Sequence, residues 1–392
     1  MRFARYVAVA CLPIAAVGIA LARGRKNQEP PPPPEPVEAA APAPPAAPPP
    51  PPAPKLFADG LPVTIAALPN GLASLSAQGC NACHWAAHDT WADSAHAHAW
   101  ADETFQAALA TAGGSTACVS CHLPLSNQQD QLAAGYIDGD LTRPRLEPNP
   151  AFDLTLRGEG VTCAACHVRG DTIVSTRAAP NAPHPVAVSD ELSDPAMCAT
   201  CHQLSWPDGD RPFYDTFGEW QGSAYAKANV TCQDCHMAPT AGAIVPGTDG
   251  TLPSHALNAD VKRALTALVA LPKAAVVRGQ AVEVGLTLQN TGAGHSVPTG
   301  NPFKSYRVDV VLLDGANKEL APAFSTTLAR TVDAKAPYRT TADTRLGAGQ
   351  QRSFTHTFTP NTKGVAGRGA IEVRLVRGKE VVVLQRVPVT VS

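Results

Sequence analysis

Five copies of the pattern Cys-x-x-Cys-His lie between residues 80 and 236 of this sequence. The pattern's cysteines are Cys80, Cys83, Cys118, Cys121, Cys163, Cys166, Cys198, Cys201, Cys232 and Cys235, and its histidines are His84, His122, His167, His202 and His236. Cys11, which lies in an N-terminal apolar run, completes the total of 11 cysteines. The pattern therefore accounts for nearly every cysteine and limits what this part of the chain can fold around.

The spacing is typical of covalent haem attachment. Two thiols on one helical turn can form thioethers to the two vinyl groups of a haem, and the next residue places its imidazole beneath the iron. Zinc sites and redox dithiols also use Cys-x-x-Cys, but they need no histidine after every second cysteine. A disulfide framework does not need this spacing at all. We therefore predict five covalently bound haem c groups.

Cofactors, rather than aromatic side chains, are expected to fill the core of this region. The motifs begin 34 to 45 residues apart, which is too short for each segment to enclose a haem alone. Aromatic residues make up only 5% of the chain. A net charge of −2 and a charged fraction of 16% give no reason to expect nucleic acid as a partner.

Histidines outside the motifs are the main candidates for the sixth iron ligand. Seven are available: His88, His96, His98, His184, His255, His295 and His356. Met197 adjoins a motif cysteine and Met237 adjoins a motif histidine, so neither readily reaches the opposite face of its own haem. Histidine on both sides gives lower potentials than methionine does. We expect mostly bis-histidine haems, and one five-coordinate haem remains an alternative.

The first 26 residues resemble a targeting segment. Arg2 and Arg5 precede an apolar run over residues 6–22, and further basic residues follow it. Ala20-Leu21-Ala22 is typical of a signal-peptide cleavage site. The length of the run equals the shortest membrane span of about 17 residues, which favours an uncleaved anchor. Both alternatives place the remaining chain in the periplasm or at the cell surface.

Composition divides the remainder into three parts. Residues 27–55 are rich in proline and alanine, which predicts a polyproline II linker. Residues 56–258 carry the motifs, and we predict a loop-rich, helix-poor haem domain there. Residues 259–392 alternate apolar and polar residues between turns, as in "AVEVGLTLQN", which predicts an antiparallel, immunoglobulin-like β-sandwich. The whole chain is thus expected to be an α+β multidomain protein.

Several stretches besides the motifs resemble the multihaem cytochromes related to cytochrome c-554. They are "WADSAHAHAW", "APHPV", "FGEWQGSAYAKANVTCQDCHM", the Ser-His pair at 254–255 and "GAGHSVPTG", and the resemblance spans about residues 79–301. It implies distal ligand roles for His96, His184, His255 and His295. The glycines and proline around His295 would hold its imidazole rigidly towards a haem.

A fifth distal position is open between His88 and His98, and we include His88 among the predicted metal ligands. His88 follows His84 by four residues, so it could reach only another haem. His356 alternates with Phe354 and Phe358 in a strand pattern, and we predict a structural role for it.

Electron transfer is the favoured function. We expect redox partner proteins, either a membrane quinol-linked donor or other cytochromes, and membrane attachment through residues 6–22 if they are not cleaved. The alternative is a multihaem oxidoreductase acting on nitrite or hydroxylamine at one five-coordinate haem. Pentahaem nitrite reductases usually replace one motif histidine with lysine, whereas all five motifs here keep histidine. Whether the protein is an enzyme stays open.

Overall fold

Helices carry all five cysteine motifs. The first motif lies in a helix of 16 residues, and the other four lie in helices of five to eight residues. The computed structural model describes residues 55–392 except residues 59, 141, 142, 207, 249 and 259. The predicted segment 1–26 and residues 27–54 of the predicted linker lie outside the described residues. The α-helices in the described residues are α1 Ala77–Ala92, α2 Glu103–Thr111, α3 Thr116–His122, α4 Leu154–Gly158, α5 Cys163–His167, α6 Pro195–His202, α7 Thr216–Gln221, α8 Ala224–Lys227, α9 Cys232–His236 and α10 Val261–Ala264.

Strands alternate with these helices in the first half of the described chain and form most of the second half. Those before residue 260 are β1 Gln131–Tyr136, β2 Pro144–Pro148, β3 Val168–Arg169, β4 Thr172–Ser175, β5 Val186–Val188, β6 Gln203–Leu204, β7 Tyr214–Asp215, β8 Pro239–Ala241 and β9 Thr251–Pro253. Those after it are β10 Leu265–Ala270, β11 Ala275–Val276, β12 Val282–Asn290, β13 Ser305–Leu313, β14 Phe324–Val332, β15 Thr340–Asp343, β16 Gln351–Phe358, β17 Gly367–Arg377 and β18 Glu380–Val391.

Two sheets form the second half. One has the order β10-β12-β16 and the other β11-β18-β17-β13-β14-β15. Neighbouring strands are antiparallel, except that the two-residue strand β11 runs parallel to β18 at the sheet edge. The prediction of a strand-rich C-terminal half is confirmed. The pairing of β11 with β18 departs from the predicted all-antiparallel pattern.

Alternating side chains hold the two sheets together. Along β12, Val284, Leu286 and Leu288 are buried while residues between them are at most half-buried. They share one hydrophobic cluster with Val308 and Leu312 of β13, in the other sheet. Alternation of period two places such residues on a single face, so the pattern read from the sequence produces this core.

The motif-bearing half has only small sheets and small apolar clusters in its described residues. Its sheets pair β1 with β2, β3 with β4 and β5, β6 with β7, and β8 with β9. Its two apolar clusters centre on Leu125 with Leu156, and on Leu56 with Val174. Residues 55–392 belong to one compact unit, and the predicted boundary at residue 258 stays a prediction. Among the described residues, no helix has both the length and the apolarity that crossing a bilayer requires.

Candidate functional site

A helical turn presents each Cys-x-x-Cys-His motif. Helices α3, α5, α6 and α9 each end on the motif histidine, at His122, His167, His202 and His236. Helix α1 continues past its motif but leaves helical geometry at His84. The local structure therefore places two thiols on one turn with the imidazole directly after them, as thioether attachment of a haem requires. Within the described residues, none of the ten motif cysteines is part of a disulfide bond.

Backbone carbonyls orient most of the motif histidines. The Nδ1 atom of His84 lies 2.9 Å from the carbonyl oxygen of Ile244, and that of His122 lies 2.5 Å from the oxygen of Ala99. The other two such contacts are His167 to Val174 at 2.9 Å and His236 to Asn258 at 3.1 Å. An imidazole that donates from Nδ1 to a carbonyl keeps Nε2 unprotonated, which is the state that binds a metal.

Four motif histidines each face a histidine from elsewhere in the chain. The pairs and their centroid separations are His84–His184 at 6.5 Å, His96–His202 at 6.2 Å, His167–His255 at 6.2 Å and His236–His295 at 6.2 Å. Two imidazoles that bind one metal ion from opposite sides, through bonds of about 2 Å, have centroids about 6.3 Å apart. The four pairs therefore fit an iron ion between each pair of rings.

Burial favours the neutral form of four of these imidazoles. It lowers the pKa of His96 and of His295, and it lowers the pKa values of His202 and His255 to about 4. The Nδ1 atom of His184 is buried without a hydrogen-bond partner. The Nδ1 atom of His88 is in the same state, so the fit of the donor set to haem rests on the ring separations.

The loop that carries His295 is built for close contact. A Cβ atom on Gly292 would lie 1.9 Å from the carbonyl oxygen of Arg263, and one on Gly294 would lie 3.1 Å from the Trp220 ring. The fully buried Asn290 donates to the carbonyl oxygen of His295 at 2.8 Å and accepts from the backbone N–H of Ala293 at 3.0 Å. The loop thus joins strand β12 to the surface of the motif-bearing half.

The second motif differs from the other four. The His122 ring stacks on Phe105, with centroids 3.5 Å apart and planes 6° apart. In the part of the chain that the structure describes, no histidine ring is paired with it as in the other four motifs. Phe105 is a residue that the sequence did not single out, because a phenylalanine within a short helix carries no signal of this contact.

In the described residues, none of the three remaining histidines has its ring paired with that of a motif histidine, although His88 follows His84 by four residues on α1. His88 lies against Trp91, with ring centroids 5.5 Å apart, and its Nδ1 atom is 3.8 Å from Asp89. His98 is exposed. His356 packs against Phe324 and Phe358 on the sheet, as expected of a structural residue. No motif histidine is paired with His88 in the described residues, so its predicted role as a ligand stays a prediction.

Thiols of different motifs meet in pairs. The sulfur atoms of Cys80 and Cys163, of Cys121 and Cys201, and of Cys198 and Cys232 lie close to each other. These contacts place the first attachment site beside the third, and the second and fifth beside the fourth. Within the described ranges, no cluster of three or more His, Cys, Asp or Glu side chains is arranged as a metal site.

Comparison with known proteins supports the fold. The structure is similar to the penta-haem cytochrome c552 from Thermochromatium tepidum, with a TM-score of 0.56 and 18% identity over 82% of this chain and 100% of that one. The CARDB domain of PF1109 from Pyrococcus furiosus and Spo0M from Bacillus subtilis each match 33% of this chain, covering 87% and 49% of their own. Their identities are 20% and 13%, with TM-scores of 0.21 and 0.20. No family model and no curated protein matches.

Proposed function

We propose that this chain is a pentahaem c-type cytochrome that transfers electrons. The observation that carries the proposal is the set of four histidine pairs, whose centroids lie 6.2 to 6.5 Å apart. When bound, haem supplies an iron that gains or loses one electron. Two protein ligands leave such an iron no free position for a substrate, which favours a carrier over a catalyst.

The chain's own groups perform three tasks in this proposal. The motif thiols would attach the cofactor, and the paired imidazoles would hold its iron. The carbonyl oxygens of Ile244, Val174 and Asn258 fix the orientation of three motif histidines and raise their basicity. Histidine on both sides also favours the oxidised state more than methionine would, so the potentials are expected to be low.

Contacts between motifs supply the continuity that a carrier needs. The thiol contacts of Cys121 and Cys198 with neighbouring motifs make the fourth site the neighbour of both the second and the fifth. The first and third sites meet through Cys80 and Cys163. Cys166 also lies near Cys198 and Cys201, which makes the third site a neighbour of the fourth. All five attachment sites thus form one connected series.

The proposal also includes the localisation of the protein in the cell. An exported chain held by residues 6–22, with residues 27–55 as a spacer, would lie on the outer side of the cytoplasmic membrane. A membrane quinol-linked donor or another cytochrome would then exchange electrons with it. The basis for this part is the sequence alone.

A reductive titration tests the carrier function. Mass spectrometry of the intact protein should show five haems, and titration should take up five electrons per chain, in keeping with its five motifs. Pulsed reduction should then show rapid equilibration among the haems. Replacing Cys198 and Cys201 with alanine should slow that equilibration strongly, because the fourth site joins the others.

The matched control replaces Cys80 and Cys83, which belong to a site at one end of the series. This variant should lose one electron equivalent without slowing exchange among the remaining four sites. Equal effects of the two double variants, or uptake of fewer than four electrons by the unaltered protein, would contradict the proposal.

A second candidate function rests on the second motif. His122 has Phe105, and not a second histidine, as its ring neighbour. A five-coordinate haem attached through Cys118 and Cys121 could bind nitrite or hydroxylamine. The reduced protein should then bind one carbon monoxide per chain and turn over one of these compounds with a viologen dye. Full coordination of all five haems, with no carbon monoxide bound, would reject this candidate and leave the carrier function intact.

A further inference from the structure

A buried carboxylate connects helix α7 to the loop of His295. Glu219 lies on α7, and its side chain is 10% exposed. Its partner Arg345 follows strand β15, and the side chain of that residue is 7% exposed. Burying two charges costs several kcal/mol, and replacing such a pair with apolar residues is often neutral or stabilising. General stability is therefore a weak explanation for this pair.

Both carboxylate oxygens of Glu219 accept hydrogen bonds. Oε1 accepts from Nη1 of Arg345 at 2.7 Å. Oε2 accepts from the backbone N–H of Ser296 at 3.0 Å and from Oγ1 of Thr299 at 2.7 Å. Hydrogen bonds to a charged acceptor contribute more than neutral ones. The carboxylate therefore holds the loop at two points directly after His295.

Ser296 carries this restraint to the imidazole. Its N–H donates to Glu219, and its carbonyl oxygen lies 3.0 Å from Nδ1 of His295. The backbone of a single residue thus connects the carboxylate to the ring that faces His236 at 6.2 Å. A change in the position of Glu219 would rotate or withdraw the ring.

Arg345 is itself held in place. Its Nε and Nη2 atoms donate to the two oxygens of Asp343, each at 2.9 Å. Arg211 donates to the same carboxylate at 3.1 Å. Two arginines and two carboxylates balance in charge, so the Glu219 carboxylate has a fixed and neutralised setting from which to restrain the loop.

We propose that Glu219 is a positioning residue for His295: it holds the imidazole on the iron of the fifth haem. The proposal rests on the proposed function, since it assumes a haem attached at Cys232 and Cys235. Without the carboxylate, the loop would keep its glycines and Asn290 but lose the restraint next to the ligand. His295 would then leave the iron more readily, and external imidazole would compete with it.

The experiment compares E219A, E219Q and H295A in the full haem-loaded protein. Electron paramagnetic resonance of the oxidised protein gives the spin state, and imidazole titration gives the affinity of the vacated position. H295A should convert one haem to high spin, and imidazole should restore low spin. E219A should show the same conversion in part, with the same rescue.

E219Q keeps the side-chain volume of Glu219. It allows the proposal to be tested if E219A does not fold. With its oxygen towards Ser296 and Thr299, the neutral amide accepts both loop bonds without the negative charge that strengthens them, a loss equivalent to about one charge-assisted bond. Loss of such a bond should raise the affinity of this haem for imidazole about tenfold.

E372A is the matched control. Glu372 is a carboxylate with a 7% exposed side chain that pairs with Arg374 and Arg386 on the sheet. E372A should lower the unfolding midpoint without changing any spectrum. If E219A and E219Q behave as E372A does, Glu219 is structural and the proposal is wrong. If H295A itself leaves the spectrum unchanged, the proposed coordination fails instead.

Discussion

The two halves of the described chain reach stability by different means. In residues 260–392, 22 buried side chains form one apolar cluster between the sheets. In the described residues of 55–258, the two apolar clusters contain seven and three buried side chains. A region of some 200 residues with so little apolar burial cannot offset the entropy of ordering its chain. The difference predicts that the first half depends on the proposed haems for its core, whereas the second half does not.

We expect the largest difference between the two halves when haem attachment is prevented. In a full chain produced without haem, residues 55–258 should lose protection against hydrogen exchange. Strands β12, β13 and β17 should keep theirs, because their core consists of side chains. Hydrogen exchange followed by mass spectrometry measures both halves in one sample. Equal protection of both halves without haem would show that the first half has a sufficient core of its own.

A substitution in the apolar core should destabilise the sheet half and leave the motif-bearing half unaffected. Leu312 is fully buried on β13, so Leu312→Ala should lower the free energy of unfolding of the sheet half by about 3 kcal/mol. The visible spectrum of the haems should not change. Leu268→Ala is the control, since Leu268 on β10 is 55% exposed and should cost little. Denaturant titration followed by far-ultraviolet circular dichroism and by haem absorbance separates the two outcomes.

Removing one distal histidine should affect one haem. His255 faces His167 at 6.2 Å, so His255→Ala should convert that haem from low spin to high spin with little loss of sheet stability. His98 is exposed, and His98→Ala should leave every spin state unchanged. Magnetic circular dichroism reports the change. A spectral change in the His98 variant alone would mean that the chain pairs its histidines differently.

The smallest effect concerns acid stability of the sheet half. Burial alone would raise the pKa of Asp343, but hydrogen bonds and charge from Arg345 outweigh it and lower the pKa to about 2. A lowered pKa means that the contribution to stability is complete above pH 3.8, the ordinary pKa of the group, and is lost as the pH falls towards about 2.

Because the Asp343 side chain is 27% exposed, this contribution is discounted to about 1 kcal/mol. Asp343→Asn should therefore flatten the acid limb of the stability profile measured by urea unfolding. Asp138→Asn should not do so, because the Asp138 side chain is 84% exposed beside Arg143. Equal profiles for the unaltered protein and Asp343→Asn would remove Asp343 as the source of the dependence.

The sequence predicted those elements that depend on residues close together in the chain. Two-residue alternation predicted the strands that build the sheet half, and Cys-x-x-Cys-His spacing predicted helical turns such as the one ending at His236. The four distal candidates His96, His184, His255 and His295 came from a family resemblance, and the structure brings each to a motif histidine.

The partner of each histidine could not be read from the sequence. His184 faces the first motif, a hundred residues earlier, and not the third or fourth motif, which lie nearer in the chain. His96 faces the fourth motif, although it lies between the first and second. Such pairs depend on the path of the whole chain. The same holds for Glu219, whose role is visible only once Ser296 and Arg345 lie against it.

Spin counting by low-temperature electron paramagnetic resonance of the oxidised protein tests the central claim most directly. The claim is that four histidine pairs each bind one haem iron, whereas the second motif, with Phe105 against His122, has no paired histidine among the residues that the structure describes. The predicted result is four low-spin ferric haems and one high-spin ferric haem per chain. Five low-spin haems per chain would contradict the claim about the second motif, and fewer than four would contradict the pairing and with it the electron-transfer function.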